Sequence, residues 1–153
     1  MTHVDFYILG DALASTRIEF TCRLVEKASS GTEKVLVYSS DRRTLEILDE
    51  RLWDFRPMSF IAHRLLPESH LSSNEDSDPV LLTSSDHIAA PETYRNVLIN
   101  LDEQVPLFFS RFGRTMEVVN KEPSVQSTGR ERYRFYKQRG YPLKHHNISP
   151  SVA

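Results

Sequence analysis

The stretch VDFYILGDALASTRIEF, residues 4–20, is the strongest indication of the fold class of this chain. Its first part, residues 4–9, is a short apolar and aromatic-rich run closed by turn-forming residues, which is typical of a buried strand. A helix is predicted from about Thr16, because the Thr16 hydroxyl can cap it while Glu19, three residues on, completes a capping box. Apolar residues at helical spacing predict the core side of this helix: Ile18, Cys22 and Val25.

The order of strand and helix repeats in the next segment. KVLVYSS, residues 34–40, predicts a second strand, and Ser40 or Asp41 is positioned to cap a second helix. Three leucines at helical spacing predict the inward side of that helix: Leu45, Leu48 and Leu52. A chain that begins strand–helix–strand–helix favours parallel strands joined by right-handed crossovers.

Three later apolar runs predict the remaining strands: PVLLT, NVLINL and MEVV, residues 79–83, 96–101 and 116–119. VPLFFSRF, residues 105–112, predicts a short helix. The last helix is predicted from near Ser124 to just before Gly140, with Pro142 behind it as a further stop signal.

Two segments lack a regular pattern. DFRPMSFIAHRLL, residues 54–66, is interpreted as irregular, and residues 67–78 are polar and acidic with several turn formers, which predicts a mobile loop. Residues 148–153 are predicted to be a disordered tail. We therefore predict a single α/β domain over residues 1–147, an open and mostly parallel Rossmann-like sheet of about five strands with helices on both faces.

The composition suits a globular chain, with 39% hydrophobic and 26% charged residues among 153. The first residues lack the basic and apolar regions of a signal peptide, and no apolar run reaches the ~18 residues that a membrane span needs. A single cysteine, Cys22, excludes an internal disulfide bond and a multi-cysteine zinc site. We expect a cytoplasmic protein with no membrane partner.

No feature of the sequence predicts catalysis, a cofactor or a metal site. The loop after the first strand, GDALAST, lacks the clustered glycines that cradle phosphate groups, so no nucleotide site is predicted. His63 lies in an apolar run, where we expect a structural histidine, and His145 and His146 lie near a chain end that is expected to be frayed. Cys22 lies on the apolar side of its helix, where we expect packing instead of reactivity. The chain is predicted not to be an enzyme.

The net charge of −2 conceals an asymmetry. Residues 120–147 contain seven Lys and Arg against two Glu, a charge of +5, while the rest of the chain has twelve against nineteen, a charge of −7. Because the acidic part repels phosphate, the chain is not expected to bind nucleic acid in general. The basic end remains suited to a small acidic partner.

Most of the positive charge lies in RERYRFYKQRGYP, residues 130–142. A helical repeat places three cations and a tyrosine on one face: Arg130, Tyr133, Arg134 and Lys137. Phe135 and Tyr136 point to the other side, where we expect them to anchor the helix on the sheet. Cations in the last turns also complement the helix dipole, so an ordinary solvated helix explains part of the pattern. An aromatic ring between guanidinium groups also suits a ligand with carboxylates and an apolar side chain.

Two segments resemble a known family. GRERYRFYKQRGYPL, residues 129–143, resembles the ARERY…Y…G signature of the chi subunit of bacterial DNA polymerase III holoenzyme. LDERLWDFRPMSFIAHRL, residues 48–65, is similar to the LDEALW…SFxPH segment of that family, and the apolar runs of the strands fit as well. The resemblance covers nearly the whole chain. The sequence departs from the family pattern at Ala62, where proline is usual, and in the acidic loop that ends at Asp78.

The resemblance implies a non-catalytic adaptor of the bacterial replisome, with a Rossmann-type fold and no nucleotide. Chi subunits pair with the small psi subunit, which tethers them to the clamp loader. On another surface they bind the acidic C-terminal tail of single-stranded DNA-binding protein, and so meet nucleic acid only indirectly. The positions that match the tail-binding motif are Arg130, Tyr133 and Arg134, with Lys137 as a weaker extension.

The psi contact is expected in the aromatic, irregular stretch that follows the second helix: Trp53, Phe55, Phe60 and Ile61. The alternative hypothesis is a module that binds single-stranded nucleic acid directly, with Tyr133 stacking on a base between arginines that contact phosphates.

Overall fold

The computed structural model describes residues 1–57, 61–67, 78–85 and 95–148. Within these ranges the chain forms seven strands, three α-helices and one 3-10 helix. The strands are β1 (His3–Leu9), β2 (Val35–Tyr38), β3 (His63–Leu65), β4 (Val80–Thr83), β5 (Val97–Asn100), β6 (Arg114–Val119) and β7 (Leu143–Ile148). The α-helices are α1 (Ala14–Ala28), α2 (Arg42–Asp54) and α3 (Pro123–Gln138), and the 3-10 helix is Phe109–Arg111.

The strands form one sheet in the order β3-β4-β2-β5-β6-β1-β7, and every pair is parallel. The central strands are continuous apolar runs, as expected for a parallel sheet that is covered on both faces. The predicted α/β class, the open sheet and the parallel order are confirmed.

Helices cover both faces of the sheet, as the sequence predicts. α1 and α2 pack on one face, where the buried side of α2 is formed by the three predicted leucines. α3 and the 3-10 helix cover the opposite face through Tyr136 and Phe109. Alternate residues of the central strands supply the two cores, as Leu36 and Val37 of β2 do.

The starts of two of the three α-helices agree with the sequence prediction. Asp41 caps α2 by accepting a hydrogen bond from the backbone N–H of Arg43 at 3.1 Å. α3 begins within a residue of its predicted start. The predicted capping box of α1 is wrong: the helix begins at Ala14 after Leu13, whose side chain makes no cap. The backbone N–H of Leu13 instead donates to Asp11 Oδ1, an Asx turn that starts the helix before Thr16 is reached.

Two edge strands were not predicted. β3 lies inside the segment interpreted as irregular, and β7 includes His145 and His146, so the predicted frayed end is wrong up to Ile148. Both strands are short or polar, and their pairing with a neighbour becomes visible only in three dimensions. Most of the predicted mobile loop and the last five residues, 68–77 and 149–153, lie outside the described residues.

A buried carboxylate helps to hold β7 in place. Asp5 of β1 accepts hydrogen bonds from Arg114 Nε at 2.7 Å and pairs with His146 Nε2 at 3.0 Å. The His146 ring also stacks on Tyr7 with the ring centroids 4.8 Å apart. Burial alone would raise the pKa of Asp5, but the hydrogen bonds from Arg114 and His146 lower it below the ordinary value.

Candidate functional site

The candidate site lies on α3, and its two ends are fixed by local contacts. Glu122 caps the N-terminus by accepting from the backbone N–H of Val125 at 3.0 Å. At the C-terminus Gly140 has a φ of +77°, which an L side chain rarely adopts. The N–H groups of Gly140 and Tyr141 return to the carbonyls of Lys137 and Tyr136, which is the Schellman arrangement. The predicted end of the helix before Gly140 is confirmed.

The rotation of α3 is set by its inward face, which we define as Gly129, Arg132 and Tyr136. Arg132 Nε donates to Glu117 Oε1 at 2.9 Å, and the Tyr136 hydroxyl donates to Glu117 Oε2 at 2.7 Å. Asn100 Nδ2 donates to the same Oε2 at 2.9 Å. The Arg132 and Glu117 side chains are 3% and 0% exposed, so the ion pair is enclosed. Burial and the charge of Glu117 both raise the pKa of Tyr136.

Gly129 lets the helix approach the sheet closely. A Cβ atom at this position would lie 2.8 Å from Val119 Cγ1 of β6, which is closer than packed carbon atoms come. The valine is buried in a strand and its branched side chain has little freedom to move. This contact and the Glu117 network leave α3 one orientation on the sheet.

The outward face of α3, defined as Arg130, Tyr133, Arg134 and Lys137, follows from that orientation. The three cations are exposed, and among the described residues none of them has a carboxylate or another side chain as a partner. Tyr133 is half-buried, and its ring meets Phe6 edge-on with the centroids 5.3 Å apart. The structure therefore brings the four predicted residues together as one cationic surface with an aromatic flank.

Arg139 does not belong to this surface. Its guanidinium lies 3.7 Å from the centroid of the Phe135 ring and donates to the Phe135 carbonyl at 3.4 Å. Phe135 in turn meets Phe109 edge-on. Phe135 and Tyr136 anchor the helix as predicted, although Tyr136 is enclosed and Phe135 is only half-buried.

The sequence interpretation missed the role of Arg132. It counted this residue among the cations of the basic segment, whereas the structure encloses it with Glu117. A signal was present in the sequence, because Glu117 lies in an apolar strand and a buried carboxylate requires a partner. Arg132 precedes Tyr136 by four residues and therefore shares its inward side.

The predicted psi-contact residues lie at the C-terminal end of α2 and beyond it. Trp53 is 55% exposed, and one side of its ring lies against His63 with the centroids 4.3 Å apart. Phe55 is half-buried at the edge of the core. Ile61 is buried in the core, so its side chain is not part of the exposed surface of the isolated chain. Phe60 lies outside the described residues.

His63 and Cys22 are structural, as predicted. The His63 ring is buried, with Nδ1 2.7 Å from the Ile61 carbonyl and Nε2 3.1 Å from an Asp49 carboxylate oxygen. Cys22 is 0% exposed in the core between α1 and the sheet. Burial raises the pKa of its thiol to about 12, so the reactive thiolate is scarce near neutral pH.

The sequence matches the family model described as DNA polymerase III chi subunit, HolC, over residues 1–144. The chain belongs to this family. It is 38% identical to the DNA polymerase III subunit chi of Pseudomonas aeruginosa over 149 residues, which cover 97% of this chain and 98% of that relative. It is 31% identical to the protein of the same name from Haemophilus influenzae over 145 residues, covering 94% and 96%. For the Escherichia coli protein of that name the identity is 27% over 152 residues, covering 94% and 96%.

The family match makes the chain an accessory subunit of DNA polymerase III and a protein of the bacterial replisome. The resemblance stated from the sequence is thereby confirmed. Among the helices of the described ranges, none combines the length and the apolar composition that crossing a membrane requires.

Proposed function

We propose that the chain is a non-catalytic adaptor in the bacterial cytoplasm. It links the clamp loader, through the psi subunit, to the acidic C-terminal tail of single-stranded DNA-binding protein. The observation that supports this function is the outward face of α3, where exposed Arg130, Arg134 and Lys137 have no carboxylate partner among the described residues. An acidic peptide supplies the missing carboxylates.

The two kinds of cation contribute unequally. A guanidinium group presents a planar fork that matches a carboxylate with two hydrogen bonds, whereas an ammonium group acts as a point charge. Arg130 and Arg134 are one helical turn apart and present two such forks side by side. We therefore assign the main carboxylate contacts to the arginines and a weaker contact to Lys137.

Tyr133 supplies an apolar wall beside these charges. Its ring is held against Phe6 of β1, which limits the side-chain freedom that is lost on binding. The half-buried ring leaves part of its surface for an apolar side chain, such as the hydrophobic residues at the end of the tail. The terminal carboxylate of the tail then lies near the arginines.

The test is isothermal titration calorimetry of Arg134→Ala with a peptide of the tail. Loss of one charge-assisted contact is expected to cost roughly 1.5–3 kcal/mol, about ten- to a hundredfold in affinity. The matched control is Arg43→Ala, which removes the same charge from an exposed position on α2 and should leave the affinity nearly unchanged. A peptide that lacks its last two residues should bind more weakly than the full peptide.

The same titrations separate the adaptor from a nucleic-acid-binding module. If Arg134→Ala binds the peptide as the parent does, the assigned face is wrong. If the parent binds a short single-stranded oligonucleotide tightly and does not bind the peptide, direct nucleic-acid recognition through Tyr133 replaces the adaptor role.

For the psi subunit we propose the aromatic surface formed by exposed Trp53 and half-buried Phe55. Contiguous apolar patches on a folded chain mark protein contacts, and aromatic anchors often contribute ~2 kcal/mol or more each. Trp53→Ala is expected to weaken the complex by roughly thirtyfold or more, whereas Glu50→Ala on the same helix should have little effect. Analytical size exclusion with the psi subunit measures this. Denaturant unfolding of Trp53→Ala must show a folded chain, and an unchanged complex would place the psi contact elsewhere.

A further inference from the structure

A polar cavity lies at the carboxyl ends of the strands, away from the outward face of α3. Its volume is about 460 Å³, within the range of small-molecule sites. It is lined by the segments after β2 and β5, by the first turns of α1 and α2, and by α3 from its first turn to Arg132. Arg17, Ser40, Asp102 and Thr128 are also among the lining residues.

The position of this cavity is a switch point of the sheet. The connection after β2 leads to α2 on one face, whereas the connection after the adjacent β5 leads to the 3-10 helix on the opposite face. The two connections therefore diverge and leave a crevice between them. In open α/β sheets ligands bind in such crevices, outside the carboxyl ends of the strands.

Arg132 is one of the buried residues that line this cavity. Arg132 is 3% exposed, its Nε is bound to Glu117 and its Nη1 donates to the Glu103 carbonyl at 2.9 Å. Its Nη2 is buried and has no hydrogen-bond partner within the described residues. Leaving a buried donor unpaired costs about 1–3 kcal/mol, so an acceptor placed over Nη2 is favoured.

Arg17 adds a second positive charge at the same cavity. Its Nε donates to the Val118 carbonyl at 2.9 Å and its Nη2 to the Leu101 carbonyl at 3.3 Å. Burial and the nearby charge of Arg132 lower the pKa of Arg17. The Glu117 carboxylate raises the pKa of Arg17. Both of its oxygens, however, already accept hydrogen bonds from Asn100, Arg132 and Tyr136. A single negative group between the two guanidinium groups relieves their repulsion.

The other lining residues limit the charge of the ligand. Asp41, Asp102 and Glu103 also line the cavity, and their carboxylates oppose a doubly charged phosphate. Asp102 already accepts hydrogen bonds from the backbone N–H and the hydroxyl of Ser40, which fixes its carboxylate in the wall. These acidic groups favour a ligand with an ammonium or hydroxyl group at its far end.

We propose that this cavity binds a small zwitterion of amino-acid or dipeptide size, with its carboxylate on Arg132 and Arg17 and its ammonium group toward Asp102. This site is separate from the peptide-binding face, because Arg132 points inward from α3 whereas Arg130 and Arg134 point outward. It does not depend on the adaptor function.

The experiment records the side-chain Nε–H signals of Arg17 and Arg132 by ¹⁵N-edited NMR, together with the melting temperature of the full chain. The probes are the natural free amino acids and Gly-Gly at millimolar concentration, with acetate and inorganic phosphate as anion controls. At least one zwitterion should shift both arginine signals and raise the melting temperature. The proposal is overturned if no zwitterion shifts these signals, or if phosphate alone does.

Two variants test the contacts. Arg132→Lys retains a cation for Glu117 but removes the unpaired Nη2, and Thr128→Trp fills the cavity without changing any charge. Both variants should bind the zwitterion with an affinity about tenfold or more below that of the parent. Ser127→Trp, at an exposed position of the same helix, is the matched control and should bind like the parent. Binding that survives in both variants would contradict the assigned cavity, while tail-peptide titrations report separately on the outward face.

Discussion

Arg132 and Arg134 lie two residues apart on α3 and occupy opposite environments. Arg132 is enclosed with Glu117, which also accepts hydrogen bonds from Tyr136 and Asn100. Arg134 is exposed, and no partner contacts its side chain among the described residues. The same residue type therefore stabilises the fold at one position and is available for a partner at the other.

Only part of the positive charge of residues 120–147 is available to a partner. The charge of +5 over residues 120–147 includes Arg132, whose charge is compensated inside the molecule by Glu117. Arg139 is engaged with Phe135. The cations available on the outward face are Arg130, Arg134 and Lys137. The contacts of the inward face hold them in position.

The largest effect is expected when the inward arginine is removed. Arg132→Ala leaves the Glu117 carboxylate buried without its cation, which is expected to lower the free energy of unfolding by about 3–5 kcal/mol. Because the Arg134 side chain is exposed to water, Arg134→Ala should change the free energy of unfolding by less than about 0.5 kcal/mol. Urea unfolding followed by circular dichroism measures both.

A double variant sharpens this result. Arg132→Met combined with Glu117→Gln removes both buried charges, so it should recover part of the stability that Arg132→Ala loses. If Arg132→Ala and Arg134→Ala are equally stable, the contrast between the two faces is wrong.

The two tyrosines of the helix provide a second, smaller contrast. Tyr136→Phe removes a hydrogen bond to a buried carboxylate and should cost about 1.5–3 kcal/mol of stability. Tyr133→Phe removes a hydroxyl that has no partner among the described residues and should be nearly neutral. Thermal and urea unfolding of the two variants test this, and equal losses would show that the Glu117 network does not depend on Tyr136.

The smallest effect is expected at high pH. The pKa of Tyr136 is raised above 10.0 in the folded chain, so the unfolded chain loses this proton first as the pH rises. Below pH 10 the stability from Tyr136 is fully present, and above it the contribution falls by at most ~1.4 kcal/mol per pH unit until the folded-state pKa is reached. The stability gap between the parent and Tyr136→Phe should therefore narrow above pH 10. A gap that stays constant to pH 11 would contradict the raised pKa.

The fold class and the residues of the outward face are predictable from the sequence alone. Short apolar runs such as that of β2 are typical of covered strands, and their alternation with amphipathic helices favours a parallel sheet. The outward face was predictable because residues three and four apart in a helix share a side, whatever the helix packs against. Gly140 and Asp41 fixed helix ends through local backbone chemistry, which needs no distant partner.

The identity of the edge strands, the enclosure of Arg132 and the position of the cavity depend on contacts between distant parts of the chain. β7 pairs with β1 through their backbones, and the contact between Asp5 and His146, 141 residues apart in the chain, supports this pairing. Arg132 differs from Arg134 only because Glu117, on another strand, lies beneath one of them. The capping box at Thr16 was predicted and did not form, since Asp11 starts the helix earlier. Local patterns specify backbone conformation, but burial and partnership of a charge depend on residues that meet only when the sheet is assembled.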